Sequence, residues 1–178
     1  MITGPSGVGK GTLIRTLLER MPELELAVSA TTRAPRPGEE HGVDYHFLTD
    51  AEFDRRVVEG DFLEHAEYSG RRYGTLLSEL TKRTADGSSV VLEIEVQGAR
   101  QVERSMPEAI RIFIAPPSEE TLRTRLIGRG TDDLEQIERR LAVAKAELAA
   151  SGDFAHVVHN DRLEDAADEL ERIVAASV

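Results

Sequence analysis

The chain has no cysteine, which excludes disulfides, thiolate metal sites and a cysteine nucleophile, and its composition suits a reducing compartment. Lysine is nearly absent as well: only Lys10, Lys82 and Lys145 stand among 22 basic residues. Arginine therefore supplies almost all the positive charge and could grip phosphate bidentately, although codon bias would give the same composition. Positive charge is short overall, since a net charge of −11 argues against general affinity for nucleic acid or an anionic membrane. Any phosphate site must be locally basic. No apolar run reaches the roughly 18 residues of a membrane span, and there is no internal repeat or low-complexity tract. With 178 residues, 40% of them hydrophobic, the chain has material for one substantial core with inserted pieces rather than two independent domains. Only Met1-Ile2-Thr3 precede the first glycine, whereas a buried strand usually runs about five residues, so a truncated start is expected. That start leaves no room for a signal peptide, and the chain reads as a soluble, cytoplasmic protein.

What is present begins with Gly4-Pro5-Ser6-Gly7-Val8-Gly9-Lys10-Gly11-Thr12, which fits the phosphate-binding pattern G-x-x-x-x-G-K but has Gly11 where Ser or Thr is usual. Glycines let successive N–H groups converge on phosphate oxygens at a helix N-terminus, and Lys10 adds a mobile charge over the outer phosphates. Leu13, Ile14, Leu17, Leu18 and Met21 follow on one face at helical spacing and stop before Pro22. A loop that opens a helix is what the mechanism requires. The bland alternative is a glycine turn before an ordinary helix.

Further on, Leu24, Leu26, Val28 and Ala30 alternate as one strand does, and the stretch 31–40 is a proline-stiffened loop carrying Arg33 and Arg36. Thr49-Asp50-Ala51-Glu52 reads as a capping box for a helix ending by Gly60, after which Phe62, Glu64, Ala66 and Tyr68 share one strand face. A glutamate on an otherwise apolar face stands out. Ser69-Gly70-Arg71-Arg72 reads as a turn, and Leu76, Leu77 and Leu80 begin a helix that closes near Gly87. Residues 89–96 form a β-branched run broken by Glu93 and Glu95, at the strand end where α/β proteins carry their sites. The remainder alternates: a helix from Gln97 to Met106, a strand from Ile110 to Ala115, and a helix capped by Pro116-Pro117-Ser118. A second capping box at Asp132-Asp133-Leu134-Glu135, a strand at His156–His159 and a helix from Leu163 complete it. The pattern predicts a doubly wound parallel sheet with an inserted α+β piece.

A phosphate loop alone fits hydrolysis, phosphoryl transfer or simple binding. The arginine loop is the best lead to an acceptor: Arg33 and Arg36, beside Glu39, are spaced to converge on one phosphate, with Tyr45 and Tyr73 as hydroxyl donors. A solvated basic loop is the plain alternative. The wording of Ser29-Ala30-Thr31-Thr32-Arg33-Ala34-Pro35-Arg36-Pro37-Gly38-Glu39 and Gly42-Val43-Asp44-Tyr45-His46-Phe47 closely resembles guanylate kinases. The likeness continues through Phe62-Leu63-Glu64, Tyr73-Gly74-Thr75, 92–98, 114–118, 128–131, 139–141 and Asn160-Asp161, in order over essentially the whole chain.

The resemblance implies an α/β fold of the P-loop class: a three-layer core with a parallel sheet (about 1–28, 83–117 and 146–178), an inserted GMP-binding α+β region (about 29–82) and a helical lid (about 118–145). It implies ATP and GMP as small-molecule partners, ATP with Mg²⁺ as cofactors, and no nucleic acid or membrane partner. Arg33, Arg36, Tyr45 and Tyr73 would hold the GMP phosphate with Glu39 fixing their loop, and Ser29, Glu64 and Thr75 would read the base, with Glu93 and Glu95 nearby. The loop from Gly4 to Thr12, with Asn160, Asp161 and Arg129, would bind ATP. Lys10, Arg33, Arg125, Arg129 and Arg140 would act on the transferring group, with Arg139 as an adjacent candidate. Two positions depart from the family: Gly11 brings no hydroxyl for Mg²⁺, which is left to nucleotide phosphates and water with no metal ligand from the chain, and Glu95 stands where many guanylate kinases carry Asp. The rival reading is a non-catalytic guanylate-kinase-like module that binds phosphopeptides, although such modules typically lose the phosphate loop. A kinase of the same fold with another acceptor is a third, and Glu64 with Thr75 argues against it.

Overall fold

The computed structural model describes residues 1–68, 70–85, 87–128 and 134–177. Its elements run β1 (Ile2–Thr3), α1 (Lys10–Arg20), β2 (Leu24–Leu26), β3 (Ser29–Thr31), β4 (His46–Phe47), α2 (Asp50–Glu59), β5 (Phe62–Tyr68) and β6 (Arg71–Leu76). There follow α3 (Leu77–Thr84), β7 (Ser89–Val91), α4 (Val96–Ser105), β8 (Ile112–Ala115), α5 (Glu119–Gly128), α6 (Leu134–Ala149), β9 (His156–His159) and α7 (Leu163–Ala175). The chain is of the mixed α/β class and divides into two units, Met1–Pro22 with Ile110–Val178, and Glu23–Ala109.

In the first unit β8 lies between β1 and β9 and runs parallel to both, with Ile2 opposite Ile112 and Val158 opposite Ile114. A parallel strand covered on both faces is apolar throughout, and Ile112, Phe113, Ile114 and Ala115 are all buried. Helix α1 buries Leu13, Ile14 and Leu17, and α7 buries Ala166, Ala167, Leu170 and Val174. Arg20 joins these two helices, 2.6 Å from both Glu164 and Asp168. Helices α5 and α6 close on Leu122, Leu126, Ile137 and Ala144. Ser118 caps α5 by accepting from the Thr121 amide at 3.0 Å. The second expected capping box starts at Asp132, outside the described residues.

The second unit holds a four-stranded sheet in the order β4-β3-β6-β5, antiparallel except for β3 with β4, and a parallel pair, β2 with β7. The expected single strand from Leu24 to Ala30 is two. The Ala27 amide still donates to Val91 O at 3.0 Å, but the Val28 amide turns to the Glu79 carboxylate at 3.1 Å, and Ser29 then pairs with β6. The run expected over 89–96 is a strand only to Val91, where its register with β2 ends opposite Leu26, and α4 begins at Val96. Of the turn expected over 69–72, Ser69 lies outside the described residues, and Arg71 and Arg72 already pair with Tyr68 and Glu67. Phe62 also leaves the face predicted for it. Phe62 pairs with Leu76 while Glu64 pairs with Thr75, so β5 carries an extra residue there, and the bulge turns Phe62 onto Phe53 (ring centroids 4.5 Å apart) and His65.

The first capping box forms as its sequence dictates. Thr49 Oγ1 accepts from the Glu52 amide at 3.2 Å, Glu52 Oε2 accepts from the Thr49 amide at 2.8 Å, and Gly60 ends α2 at a φ of +74°. Thr49→Ala is expected to cost about 1 kcal/mol, read as a lower urea midpoint at unchanged slope. An unchanged midpoint would show that the box contributes nothing to stability.

Candidate functional site

In the first unit, β1 delivers Gly4 hard against β8. A Cβ at Gly4 would lie 2.3 Å from Ile114 O, so only glycine lets the chain leave the sheet at this point. The loop then turns into α1 through Gly9, and Lys10 Nζ folds back to donate to Gly4 O at 2.5 Å and, more weakly, Pro5 O at 3.5 Å. Val8 O accepts from Asn160 Nδ2 at 2.8 Å and from Arg125 Nη1 at 3.1 Å, while Arg125 Nη2 donates to Asn160 O at 2.9 Å. Arg140 Nη2 donates to Ser6 Oγ at 2.7 Å. The loop is thus braced from α5, from α6 and from the end of β9. Asn160 is buried in this brace and Asp161 is exposed beside it. Gly11 and Thr12 are exposed, and a Cβ on Gly11 would meet nothing within 4 Å. Arg139 points to Glu135 on the exposed side of α6, and Arg129 lies outside the described residues.

In the second unit, register gathers residues that the sequence scatters. Ser29 pairs with Thr75 and Thr75 with Glu64, so the three form one row across β3, β6 and β5, and Tyr73 lies on the same face two residues along. Thr75 Oγ1 donates to Glu64 Oε1 at 2.8 Å. Both side chains are buried, at 1% and 3% exposure, which is unusual for an acid with no cationic partner in the row. Burial pushes the Glu64 carboxyl up to about 7, and the Glu95 charge adds to this, against the hydrogen bonds from Thr75.

Next to that row, Arg33 grips Glu39 with both arms, at 2.8 and 2.9 Å, and Glu39 also accepts from the Arg36 amide at 2.6 Å. This pairing holds the Glu39 carboxyl below its usual range. The Arg33 guanidinium lies 5.2 Å from the centre of the Tyr45 ring, which meets the Tyr73 ring edge-on at 6.3 Å. Burial raises the Tyr45 hydroxyl, with the Glu93 charge adding to the effect. Arg36 itself is exposed. Glu95 is the N-cap residue of α4 without capping it, and its buried Oε2 has no hydrogen-bond partner. A residue the sequence did not single out is Glu79, buried on α3, which accepts from the Val28 amide, from His46 Nε2 at 3.1 Å and from Arg83 Nε at 3.0 Å. The signal was there: Glu79 lies on the inward stripe between Leu76 and Leu80, where an acid needs partners.

The first unit therefore offers an anion cradle with a mobile lysine. The second offers a buried carboxylate and hydroxyl able to read a base, near an oriented arginine. Comparisons of three kinds name one family. A family model described as guanylate kinase matches residues 1–177. The guanylate kinase of Thermobifida fusca (strain YX) is 51% identical over 176 residues, 99% of this chain and 90% of that protein. The guanylate kinase of Synechococcus sp. (strain CC9311) is 54% identical over 172 residues, 97% of this chain and 90% of that protein. Among solved structures, the guanylate kinase from Anaplasma phagocytophilum matches with a TM-score of 0.78 at 34% identity, covering 98% of this chain and 82% of that one.

Proposed function

The chain belongs to the guanylate kinase family, and from this we propose that it transfers the γ-phosphoryl group of ATP to GMP, with dGMP as a second acceptor, giving ADP and the diphosphate. The observation that carries the acceptor reading is the buried Glu64–Thr75 pair in register with Ser29. Guanine presents N1–H and its 2-amino group as adjacent donors, which one ionised carboxylate accepts together, whereas adenine presents an acceptor at N1. Arg33, Arg36, Tyr45 and Tyr73 hold the acceptor phosphate, and Glu39 keeps the Arg33 fork oriented for it. Glu93 and Glu95 lie on the same acceptor side, where their charge shapes Tyr45 and Glu64.

The loop from Gly4 to Thr12 cradles the ATP phosphates, with Asn160, Asp161 and Arg129 at the nucleotide. The attacking phosphate oxygen is already ionised, so no strong general base is needed, and the work is neutralising charge and aligning donor with acceptor. Lys10 supplies one charge. Arg140, hydrogen-bonded to Ser6, and Arg125, which braces Val8, supply others from the helices of a lid whose closure excludes water as a competing acceptor. Mg²⁺, when bound, would supply charge neutralisation at the nucleotide phosphates. The donor set fits a metal carried by the nucleotide, because Gly11 brings no hydroxyl and Mg²⁺ keeps several of its waters. No helix among the described residues is long and apolar enough to cross a membrane.

The test is ADP release across acceptors and pH. GMP and dGMP are expected to turn over, with kcat/KM for AMP and UMP lower by at least about 100-fold. Because Glu64 must be ionised to accept from guanine, the KM for GMP should rise as pH falls through about 7. A nucleotide's own phosphate titrates near 6 whatever its base. The Glu64 component is therefore the part of the profile lost in Glu64→Gln. Equal turnover of AMP and GMP would overturn the reading.

A further inference from the structure

Helix α4 packs against β5, and two of its residues one turn apart, Gly98 and Gln101, share the face that meets the strand. Strand β5 is the edge of the four-stranded sheet, so one side of its backbone has no strand partner among the described residues. At His65 the Gln101 carboxamide takes that place: Oε1 accepts from the His65 amide at 3.2 Å, and Nε2 donates to His65 O at 2.6 Å. One side chain satisfies both groups of a single residue, which requires a donor and an acceptor side by side and is met by no carboxylate, base or alcohol of that length. At Gly98 a Cβ would fall 2.0 Å from Glu64 Oε2 and 2.8 Å from Glu64 Cδ. The carboxylate of Glu64 occupies the space that any other residue at 98 would fill.

The position of this clamp matters because of the bulge just before it. The register of β5 against β6 shifts between Phe62 and Glu64, and a bulge disrupts the ladder locally. A slip of one residue in β5 would turn Glu64 away from Ser29 and Thr75 to the opposite face of the sheet. Gln101 pins the first residue after Glu64, on the side of the strand that β6 cannot reach. We propose that Gln101 is a positioning residue for base selection, locking β5 in the register that aims Glu64 at the base while Gly98 leaves room for its carboxylate. This rests on Glu64 being the base-reading residue.

The experiment compares the wild type with Gln101→Met, similar in length but without the donor and acceptor pair, measuring KM for GMP and ATP, the GMP-over-AMP ratio of kcat/KM, and the pH dependence of KM for GMP. The expected result is a KM for GMP raised about tenfold, a GMP-over-AMP ratio lowered by a similar factor, and kcat and KM for ATP within about threefold of wild type. The pH midpoint for GMP should also move down as water reaches the carboxyl. Wild-type selectivity and midpoint in a folded Gln101→Met protein would overturn the proposal, as would an equal rise in KM for both nucleotides, which marks a merely structural role. Should Gln101→Met not fold, Gln101→Glu carries the same test, since it can accept from the His65 amide but, when ionised, cannot donate to His65 O. Glu64→Gln run in parallel separates the two ideas. If it keeps the GMP preference, the base-reading assignment fails; if it loses the preference and Gln101→Met does not, only the clamp fails.

Discussion

Glu64→Gln is expected to lower kcat/KM for GMP by about 100- to 1,000-fold while KM for ATP stays within about twofold. Glu64 Oε1 is already committed to the Thr75 hydroxyl in a buried row, so the amide has two ways to sit. With its nitrogen toward the base, it sets a donor against guanine's N–H groups. With its nitrogen toward Thr75, one neutral oxygen replaces a carboxylate, and the charge-assisted part of the bond is lost. Either arrangement penalises guanine. The first also suits adenine, whose N1 accepts and whose 6-amino group donates, so AMP is expected to lose nothing and to gain relative to GMP. Stability should move the other way. A carboxyl whose folded value stands at about 7, against an ordinary 4.5, gives its full stabilisation below 4.5 and loses it as pH rises through 7. Glu64→Gln removes that loss, so the ligand-free variant should gain thermal stability over wild type at pH 8 compared with pH 5. Equal loss of GMP and ATP activity would remove Glu64 from base reading.

The parts of this site that were legible in the sequence are those written in neighbouring residues. The phosphate loop and its helix, the capping box at Thr49 and the strand His156–His159 depend on contacts within a few positions, and each appears where local chemistry puts it. Glu64 could be noticed as an acid on an apolar face. That Ser29 and Thr75 join it came from the family resemblance and not from local pattern, because strands β3, β6 and β5 come from distant stretches whose pairing register has no local signature. The bulge before Glu64, the break after Ala27 and the Gln101 clamp escaped for the same reason. Each is set by which strand lies alongside, as when Val28 gives its amide to Glu79 on α3. Arg125 shows the opposite limit: the family resemblance implies a contact to the transferring phosphoryl group, and its guanidinium donates to Val8 O and Asn160 O.

Lys10→Ala is expected to lower kcat by about 100- to 1,000-fold with KM for GMP within about threefold. Lys10 Nζ rests on Gly4 O and Pro5 O, so an arriving phosphate finds a charge tethered only to carbonyls of its own loop. The other braces of the loop, Arg125 and Asn160 on Val8 O and Arg140 on Ser6, do not pass through Lys10, so the variant loses a charge and keeps its cradle. Lys10→Arg should rescue little, because a planar guanidinium cannot follow the migrating charge as a compact ammonium does. Gly11 sharpens the expectation. With glycine rather than a hydroxyl residue at position 11, Lys10 is the charge that the first turn of α1 offers to the outer phosphates in the proposed reading. Arg33, Tyr45, Glu64 and Tyr73, the residues proposed for the acceptor, all belong to the other unit, which is why KM for GMP should hardly move. Full activity in Lys10→Ala would show that the loop is not the catalytic cradle, and a rise in KM for GMP as large as the fall in kcat would move Lys10 to the acceptor side.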